Sequence, residues 1–466
     1  MRERSCDVAV IGAGTAGLAA FHAARKAGAE AVLIEAGPGG TTCARVGCMP
    51  SKLLVTAADA AHGAREAGRF GIEAGPVRVD GRAVMARVRA ERDRFVAGVR
   101  EGVARIPEAA RLAGRARFTG NDSLVIDDHT RLGFRAAVIA TGSSPAVPEP
   151  LRDLGDRLLT TDTLFEIADL PASLAVLGGG PVGIELAQAM ARLGVAVSLF
   201  DPGTHLASLR DDGLAAEAAR IFGAEMALHL GAEVTAGAIE GEGVRLRWTD
   251  AEGRERSGTF ARVLSAAGRP PNVRNLGLDT TDLILDADGM PAFDARSLLC
   301  AGAPILIAGD ANADRPVLHE ASRQGGIAGA NAARLAASGR EAVEAPRRWT
   351  PLTMVFTEPQ AASVGTAYDR QDPDLVLGTV DFSDQGRARI QGENVGALRL
   401  HADRSGRLQG AEMFGPDCEH LAHFLVLAIE DGLTARDLLD RPFYHPTVEE
   451  GLKTALEAIV ERLDSE

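Results

Sequence analysis

A strand, a glycine-rich turn, a helix and a second strand follow one another twice in this chain, and that duplication limits the folds open to it. Residues 7–35 read DVAVIGAGTAGLAAFHAARKAGAEAVLIE, and residues 174–201 read LAVLGGGPVGIELAQAMARLGVAVSLFD. In each copy a short apolar run rich in Val with Ile or Leu reads as a parallel strand buried on both faces. A helix follows, with apolar residues at helical spacing, such as Val182, Leu186, Met190 and Leu193 in the second copy. Gly28 and Gly194 are expected to close the two helices. An acid ends each second strand, Glu35 or Asp201, in both cases 23 positions after the first glycine. Equal spacing in two copies makes chance a poor explanation.

The glycines carry a specific chemistry. In Gly12-Ala13-Gly14-Thr15-Ala16-Gly17 the first glycine allows a tight turn. The second lets the backbone approach a pyrophosphate, and the third lets helix and strand pack closely. The helix N-terminus then offers its N–H groups to the phosphates, and Glu35 is placed to accept from ribose hydroxyls. Gly178, Gly180 and Gly183 repeat the pattern with Asp201 as the acid, and a carboxylate there favours a free 2′-hydroxyl over a 2′-phosphate. Two fingerprints imply two dinucleotides, and FAD with NAD is the natural pair.

The ends of later strands echo one another, in AAVIATG closing at Gly142, VLSAAG closing at Gly268 and PILIAGDA reaching Asp310. We therefore read an α/β chain with two Rossmann-like domains. A FAD domain spans 1–149 and resumes over 271–345, and an NAD domain is inserted at 150–270. A composition shift near EAPRRWTPLT opens a third region, 346–466, with strand-like segments (LVLGTVDF, GALRLHA, RLQGAEMF) and two helical stretches but no nucleotide fingerprint. Residues 84–105 read as a long charged amphipathic helix with a solvated face.

The 466 residues suffice for about three domains of ~150 residues. A net charge of −14 argues against a nucleic-acid partner, which calls for a basic face. No apolar run reaches the ~18 residues that span a bilayer, so no membrane partner is expected. The N-terminus shows no apolar signal region, so a cytoplasmic location is expected. Five cysteines do not make a structural disulfide scaffold, and Cys6, Cys300 and Cys418 are scattered. No metal site is expected.

Cys43 and Cys48 differ from the other three. They lie five positions apart in GGTTCARVGCMPSK, just downstream of the first fingerprint. Two thiols beside a flavin site suggest a redox-active disulfide. In a straight helix such residues are separated by ~7.5 Å of rise, whereas a disulfide wants Cα atoms ~4.4–6.8 Å apart. Cys43 is therefore expected in an irregular turn ahead of the helix, with Gly47 easing the bend and Pro50 in the helix's first turn. A helix N-terminus favours thiolate.

With Cys43-x4-Cys48-x-Pro50-Ser51-Lys52 and His445-Pro446-Thr447-x-x-Glu450, the chain resembles the pyridine nucleotide–disulfide oxidoreductase family. The family pattern is G-G-T-C, and here Thr41 replaces the second glycine while Thr42 still precedes Cys43. The resemblance implies that Cys43 is the interchange thiol and that Cys48 faces the flavin. It implies that Lys52 lies near the flavin and pairs with Glu185, and that His445, oriented by Glu450, is the base. Thr42, Thr141, Gly142, Gly268 and Asp310 match the family's turns near the nucleotides. The third region becomes a dimerisation domain, delivering His445 across a homodimer interface to a shared active site. Gln324 and Gln360 stand where the family commonly has Glu, and Phe356 opens the interface-domain match.

Pro50-Ser51-Lys52 points to the family's dihydrolipoamide-oxidising members, with lipoyl-bearing carrier domains as partners, or to its mercury-reducing members. The latter normally add a vicinal cysteine pair near the C-terminus, where this chain has only Cys418 in its last hundred residues. Reduction of another small disulfide is the alternative activity. A non-catalytic assembly subunit is disfavoured by the intact Cys43, Cys48, His445 and Glu450.

Overall fold

The computed structural model describes residues 1–465. They form two compact units, the first made of 1–50, 88–146 and 268–348 and the second of 51–87, 147–267 and the chain from 349 onward. Within the second unit Lys52 and Asp59, in the 51–87 segment, are bonded to the Pro181–Arg192 helix.

The first unit is built on a seven-stranded sheet. Strand Arg2–Ile11 lies between Ala31–Glu35 and Thr130–Ile139, parallel to both, with Val10 opposite Leu33 on one side and Val138 on the other. Ile305–Ile307 extends the parallel ladder alongside Thr130–Ile139. Alternate side chains serve two cores. Val8, Val10, Leu33 and Val138 pack with Ala16, Ala20, Ala328 and Ala332. Ala9, Ile11, Ile34 and Ile139 pack with Phe118, Phe134 and Val273. Burial on both faces is why these strands read as continuous apolar runs. Helices Thr15–Lys26 and Leu318–Ser338 meet backbone to backbone, since a Cβ on Gly325 or Gly329 would lie 2.2 or 2.0 Å from the carbonyl oxygen of Ala16 or Ala20.

The second unit repeats the arrangement. A parallel five-stranded sheet runs in the order Ala227–Leu230, Ala196–Asp201, Ser173–Leu177, Arg262–Ser265, Leu158–Leu159. An antiparallel three-stranded sheet spans 233–260. Residues beyond 350 form a five-stranded antiparallel sheet. Helices Cys418–Glu430 and Gly451–Ser465 share a core with it through Leu398, Leu400, Met413, Leu425, Leu456 and Ile459.

Three local expectations need correction. The two fingerprint helices end in Ala27 and Leu193 as C-caps, and Gly28 and Gly194 follow one residue later at φ +89° and +98°. That is the left-handed position beyond the cap, which glycine occupies at least cost. In the expected apolar stripe Leu186, Met190 and Leu193 are buried but Val182, in the first turn, is 40% exposed. Cys43 is not in an irregular turn: it lies in a five-residue helix, Thr42–Val46, and Gly47 separates this from helix Cys48–Glu66. The break at Gly47, rather than loss of helix before Cys48, lets the two thiols meet. No helix among the described residues is long and apolar enough to cross a membrane.

Candidate active site

The two fingerprints have nearly superimposable local geometry. Gly12 sits at φ +105° and Gly178 at +107°, and a Cβ on either would lie 2.3 or 2.4 Å from the carbonyl oxygen of Ala140 or Ala266. A Cβ on Gly17 or Gly183 would lie 1.8 Å from the oxygen of Gly12 or Gly178. Those four glycines are required by the chain itself. Gly14 and Gly180 are different: each has an ordinary negative φ, and a Cβ on either would meet no protein atom within 4 Å. Neither fold nor packing asks for glycine there, whereas a closely approaching pyrophosphate does. Gly14 and Gly180 are also the N-caps of their helices and offer no side-chain cap, so the first N–H groups are open to phosphate oxygens.

The acids match as well. Glu35 accepts hydrogen bonds from the N–H groups of Ala13 (2.7 Å) and Gly37 (2.6 Å), and Asp201 from those of Gly179 (2.6 Å) and Gly203 (2.7 Å). Each carboxylate is thereby pinned at the mouth of its turn, with lone pairs left for ribose hydroxyls. The residues present fit two dinucleotides.

Around the first fingerprint the other expected residues form one set of contacts. Thr141 Oγ1 donates to Asn272 O (2.7 Å), and Asn272 N donates to Gly142 O (2.9 Å). Ala146 N donates to Gly268 O (2.9 Å). Ser143 Oγ donates to Asp310 Oδ2 (2.9 Å), and Arg269 Nη2 donates to Ser143 O (2.9 Å). Ser143 and Arg269 join the expected site residues; each directly follows a strand-ending glycine, and Arg269 lies in the Ala267-Gly268-Arg269-Pro270 turn that resembles the family's.

Cys43 and Cys48 are thiols in this structure, Cys43 half-buried and Cys48 exposed. A hydrogen bond with Cys48, then burial, then the charge of Cys48, hold the Cys43 thiol far above the ordinary cysteine range. Thr42, exposed, is the first residue of the Cys43 helix. Thr41 caps that helix: its Oγ1 accepts from Ala44 N (3.2 Å). It does so at φ +57°, ψ +152°, a region almost reserved for glycine, and such residues cost ~1–3 kcal/mol.

One turn beyond Cys48 on the same helix, Lys52 Nζ is bonded to Glu185 Oε2. The other Glu185 oxygen accepts from Phe356 N (2.8 Å), and Lys52 Nζ lies 4.6 Å from the centre of the Phe356 ring. Two turns on from Glu185, Arg192 is buried among Glu225, Glu358 and Asp59. Sequence reasoning missed Arg192, because an arginine in a helix's last turn is an ordinary dipole partner.

His445 belongs to the second unit and the cysteine pair to the first. His445 Nδ1 faces both oxygens of Glu450, at 3.1 and 2.9 Å, and its side chain is 81% exposed. Thr447 N also donates to Glu450 Oε2 (3.3 Å), fixing the carboxylate. Glu449 makes no such contact with His445 among the bonds seen here. With Nδ1 tied to a carboxylate, Nε2 is the basic nitrogen presented outward. No cluster of three or more His, Cys, Asp or Glu residues suited to a metal ion occurs among the described residues.

The thiol pair, the two dinucleotide cradles and the carboxylate-oriented histidine are the parts expected of a flavoprotein that exchanges electrons between thiols and a nicotinamide. Comparison with known families agrees. The pyridine nucleotide-disulphide oxidoreductase model matches residues 6–338, and the family's dimerisation-domain model matches residues 352–456. The chain belongs to the pyridine nucleotide-disulphide oxidoreductase family, whose members bind FAD and NAD(P). It is 32% identical over 469 residues to a dihydrolipoyl dehydrogenase of Halobacterium salinarum, covering 97% of this chain and 95% of that protein. It is 34% identical over 466 residues to a mercuric reductase of Shigella flexneri, covering 96% of this chain and 80% of that protein. Among solved structures, the HOCl-induced flavoprotein disulfide reductase RclA from Escherichia coli, in a Cu(II) complex, aligns at TM-score 0.83 and 22% identity over 98% of this chain and 100% of RclA. That likeness shows the fold.

Proposed function

We propose that this chain is a dihydrolipoyl dehydrogenase, oxidising dihydrolipoamide to lipoamide with NAD⁺. The observation that carries the reading is the pair Cys43–Cys48, brought together where helix Thr42–Val46 breaks at Gly47 ahead of helix Cys48–Glu66. A substrate thiolate attacks Cys43 Sγ of the oxidised pair, forming a mixed disulfide and releasing Cys48 as thiolate. The second substrate thiolate then attacks its own mixed-disulfide sulfur, closing lipoamide and releasing Cys43. His445 Nε2 takes a proton from the substrate thiols and returns one to Cys43, with Glu450 holding the imidazolium. Flavin, when bound, supplies the two-electron relay between Cys48 and the nicotinamide. Lys52 holds its charge against Glu185 and Phe356 one turn from Cys48. Asp201, its oxygens directed by two backbone N–H groups, favours NAD⁺ over a 2′-phosphorylated cofactor.

The dimerisation domain supports a homodimer, and His445 with its exposed ring suits a site completed by the partner subunit's His445. A lipoyl-bearing carrier domain is the proposed docking partner. Cys418, the one cysteine in the last hundred residues, is fully buried and donates to Gly415 O (3.4 Å), which suits it poorly to receiving metal ions. Anaerobic mixing of the purified protein with dihydrolipoamide and NAD⁺ tests the proposal through NADH absorbance. Rapid NADH formation, lost in Cys48→Ser, is the expected result. Flavin reduction by NADH without any response to dihydrolipoamide or lipoamide would redirect the search to another disulfide.

A further inference from the structure

The loop that delivers Cys43 is bent in an unusual way and gripped from one side. Gly39, Gly40 and Thr41 all have positive φ, +70°, +91° and +57°. The first two are glycines, and the third is a β-branched residue at a conformation nearly confined to glycine. Strain of that kind persists only where the surroundings over-determine the backbone. The surroundings here are one stripe of helix Gly81–Ala104, at residues four apart. Arg100 Nη2 donates to Pro38 O (3.0 Å), a Cβ on Gly40 would lie 2.8 Å from Val96 Cγ1, and Arg92 Nη1 donates to Arg45 O (3.4 Å). The stripe thus holds the loop on both sides of Thr41. Thr41 returns the constraint to chemistry, because its hydroxyl caps the short helix that contains Cys43.

We propose that Thr41 and the Arg92–Val96–Arg100 stripe form a loaded positioning device for Cys43, in which the clamp keeps Thr41 strained and that strain favours departure of Cys43 from Cys48 toward a substrate sulfur. The inference rests on the reading of Cys43 as the exchanging thiol. To form a bond with substrate sulfur, Cys43 Sγ must give up its hydrogen bond with Cys48. Relaxation of Thr41 offsets part of that loss. A glycine at the same position would have nothing to relax and would hold Cys43 in place. Thr41 and the stripe act through Cys43, so they are positioning residues.

The test is the rate of iodoacetamide alkylation of the reduced holoenzyme, in which the thiolate forms a C–S bond and iodide leaves. Trypsin cleaves after Arg45 and so puts Cys43 and Cys48 on separate peptides, 27–45 and 46–52, for mass spectrometry. Thr41→Gly should slow alkylation at Cys43 roughly tenfold, which is about 1.4 kcal/mol, and change Cys48 less than twofold. Thr41→Ser, keeping hydroxyl and Cβ, should stay near wild type. Arg100→Gln should slow Cys43 alkylation about threefold alone and have almost no effect in the Thr41→Gly background, since the clamp then loads nothing. A wild-type rate for Thr41→Gly, or equal factors for Arg100→Gln in both backgrounds, would overturn the proposal. Retained turnover in Cys43→Ser would instead overturn the assignment of Cys43, whatever the Thr41 series shows. Flavin absorbance per chain confirms that each variant is folded.

Discussion

The two fingerprint helices begin alike and end as opposites. Through their first turns Gly12, Gly17 and Glu35 correspond to Gly178, Gly183 and Asp201 at a constant offset of 166 residues, with the same collisions and the same carboxylate bonds. Beyond that the faces diverge. Thr15–Lys26 buries Ala16, Ala20, Phe21 and Ala24, with alanine backbone against Gly325 and Gly329. Pro181–Arg192 buries Glu185, Gln188 and Arg192. At the positions matching these three, the first copy has half-buried Ala19 and exposed His22 and Lys26. The geometry suited to a dinucleotide therefore lies in the turn, which both copies share. The rest of each helix is free, and the second copy uses it for a buried polar face bonded to Lys52 and Asp59 on the helix that starts at Cys48.

The shared half is broken most severely by a methyl group. Gly17→Ala or Gly183→Ala would place a Cβ against backbone that cannot retreat without opening the turn. Gly17→Ala should yield protein without bound flavin. Gly183→Ala should keep its flavin and lose reduction by NADH at least a hundredfold. Flavin absorbance per chain and anaerobic NADH titration separate the two. If either alanine variant exchanged these phenotypes, the assignment of the first cradle to FAD and the second to NAD would be reversed.

The divergent half is tested at matching positions. Arg192→Met leaves Glu225, Glu358 and Asp59 facing one another with no cation between them. Arg192 is buried but Asp59 and Glu358 are nearly half exposed, so its removal should cost less than a fully buried pair, on the order of 2 kcal/mol, and a urea titration should show that loss. Lys26→Met, at the corresponding but exposed position, should move stability by no more than about 0.5 kcal/mol. Equal effects would mean that burial of the second helix face contributes nothing beyond the fold.

This contrast also marks how far the sequence carries. Both fingerprints, their acids, the cysteine pair and the His445–Glu450 spacing were legible because each needs particular residue types at fixed short separations. The three-stranded sheet over 233–260 was not, since strands such as Glu233–Glu240 and Glu255–Phe260 are mostly exposed and show no apolar period. Arg192 was invisible because its partners come from residues 59, 225 and 358, three distant parts of the chain. In sequence Thr41 is only a departure from the G-G-T-C pattern, and its φ reveals that the replaced glycine has a conformational reason. In sequence Phe356 marks only the interface-domain match, whereas its ring and N–H meet Lys52 and Glu185.

The smallest effect tests the charge balance around Arg192. One guanidinium there faces three carboxylates, and burial first, then Glu358, raise the Asp59 carboxyl above its usual range while Arg192 pulls it down. A carboxyl whose folded pKa is raised contributes stability that is present below its unfolded value, about 3.9, and lost as pH rises through the folded value. At pH 8 an ionised Asp59 is therefore a mild burden, softened by solvent at its half-exposed side chain. Asp59→Asn keeps an acceptor for Arg192 and removes the surplus charge. Its urea midpoint should exceed wild type slightly at pH 8, and the two should converge as pH falls toward 4. A lower midpoint at pH 8 would mean that the charged bond from Arg192 to Asp59 outweighs repulsion from Glu358, and that the second helix needs all three carboxylates to keep its arginine buried.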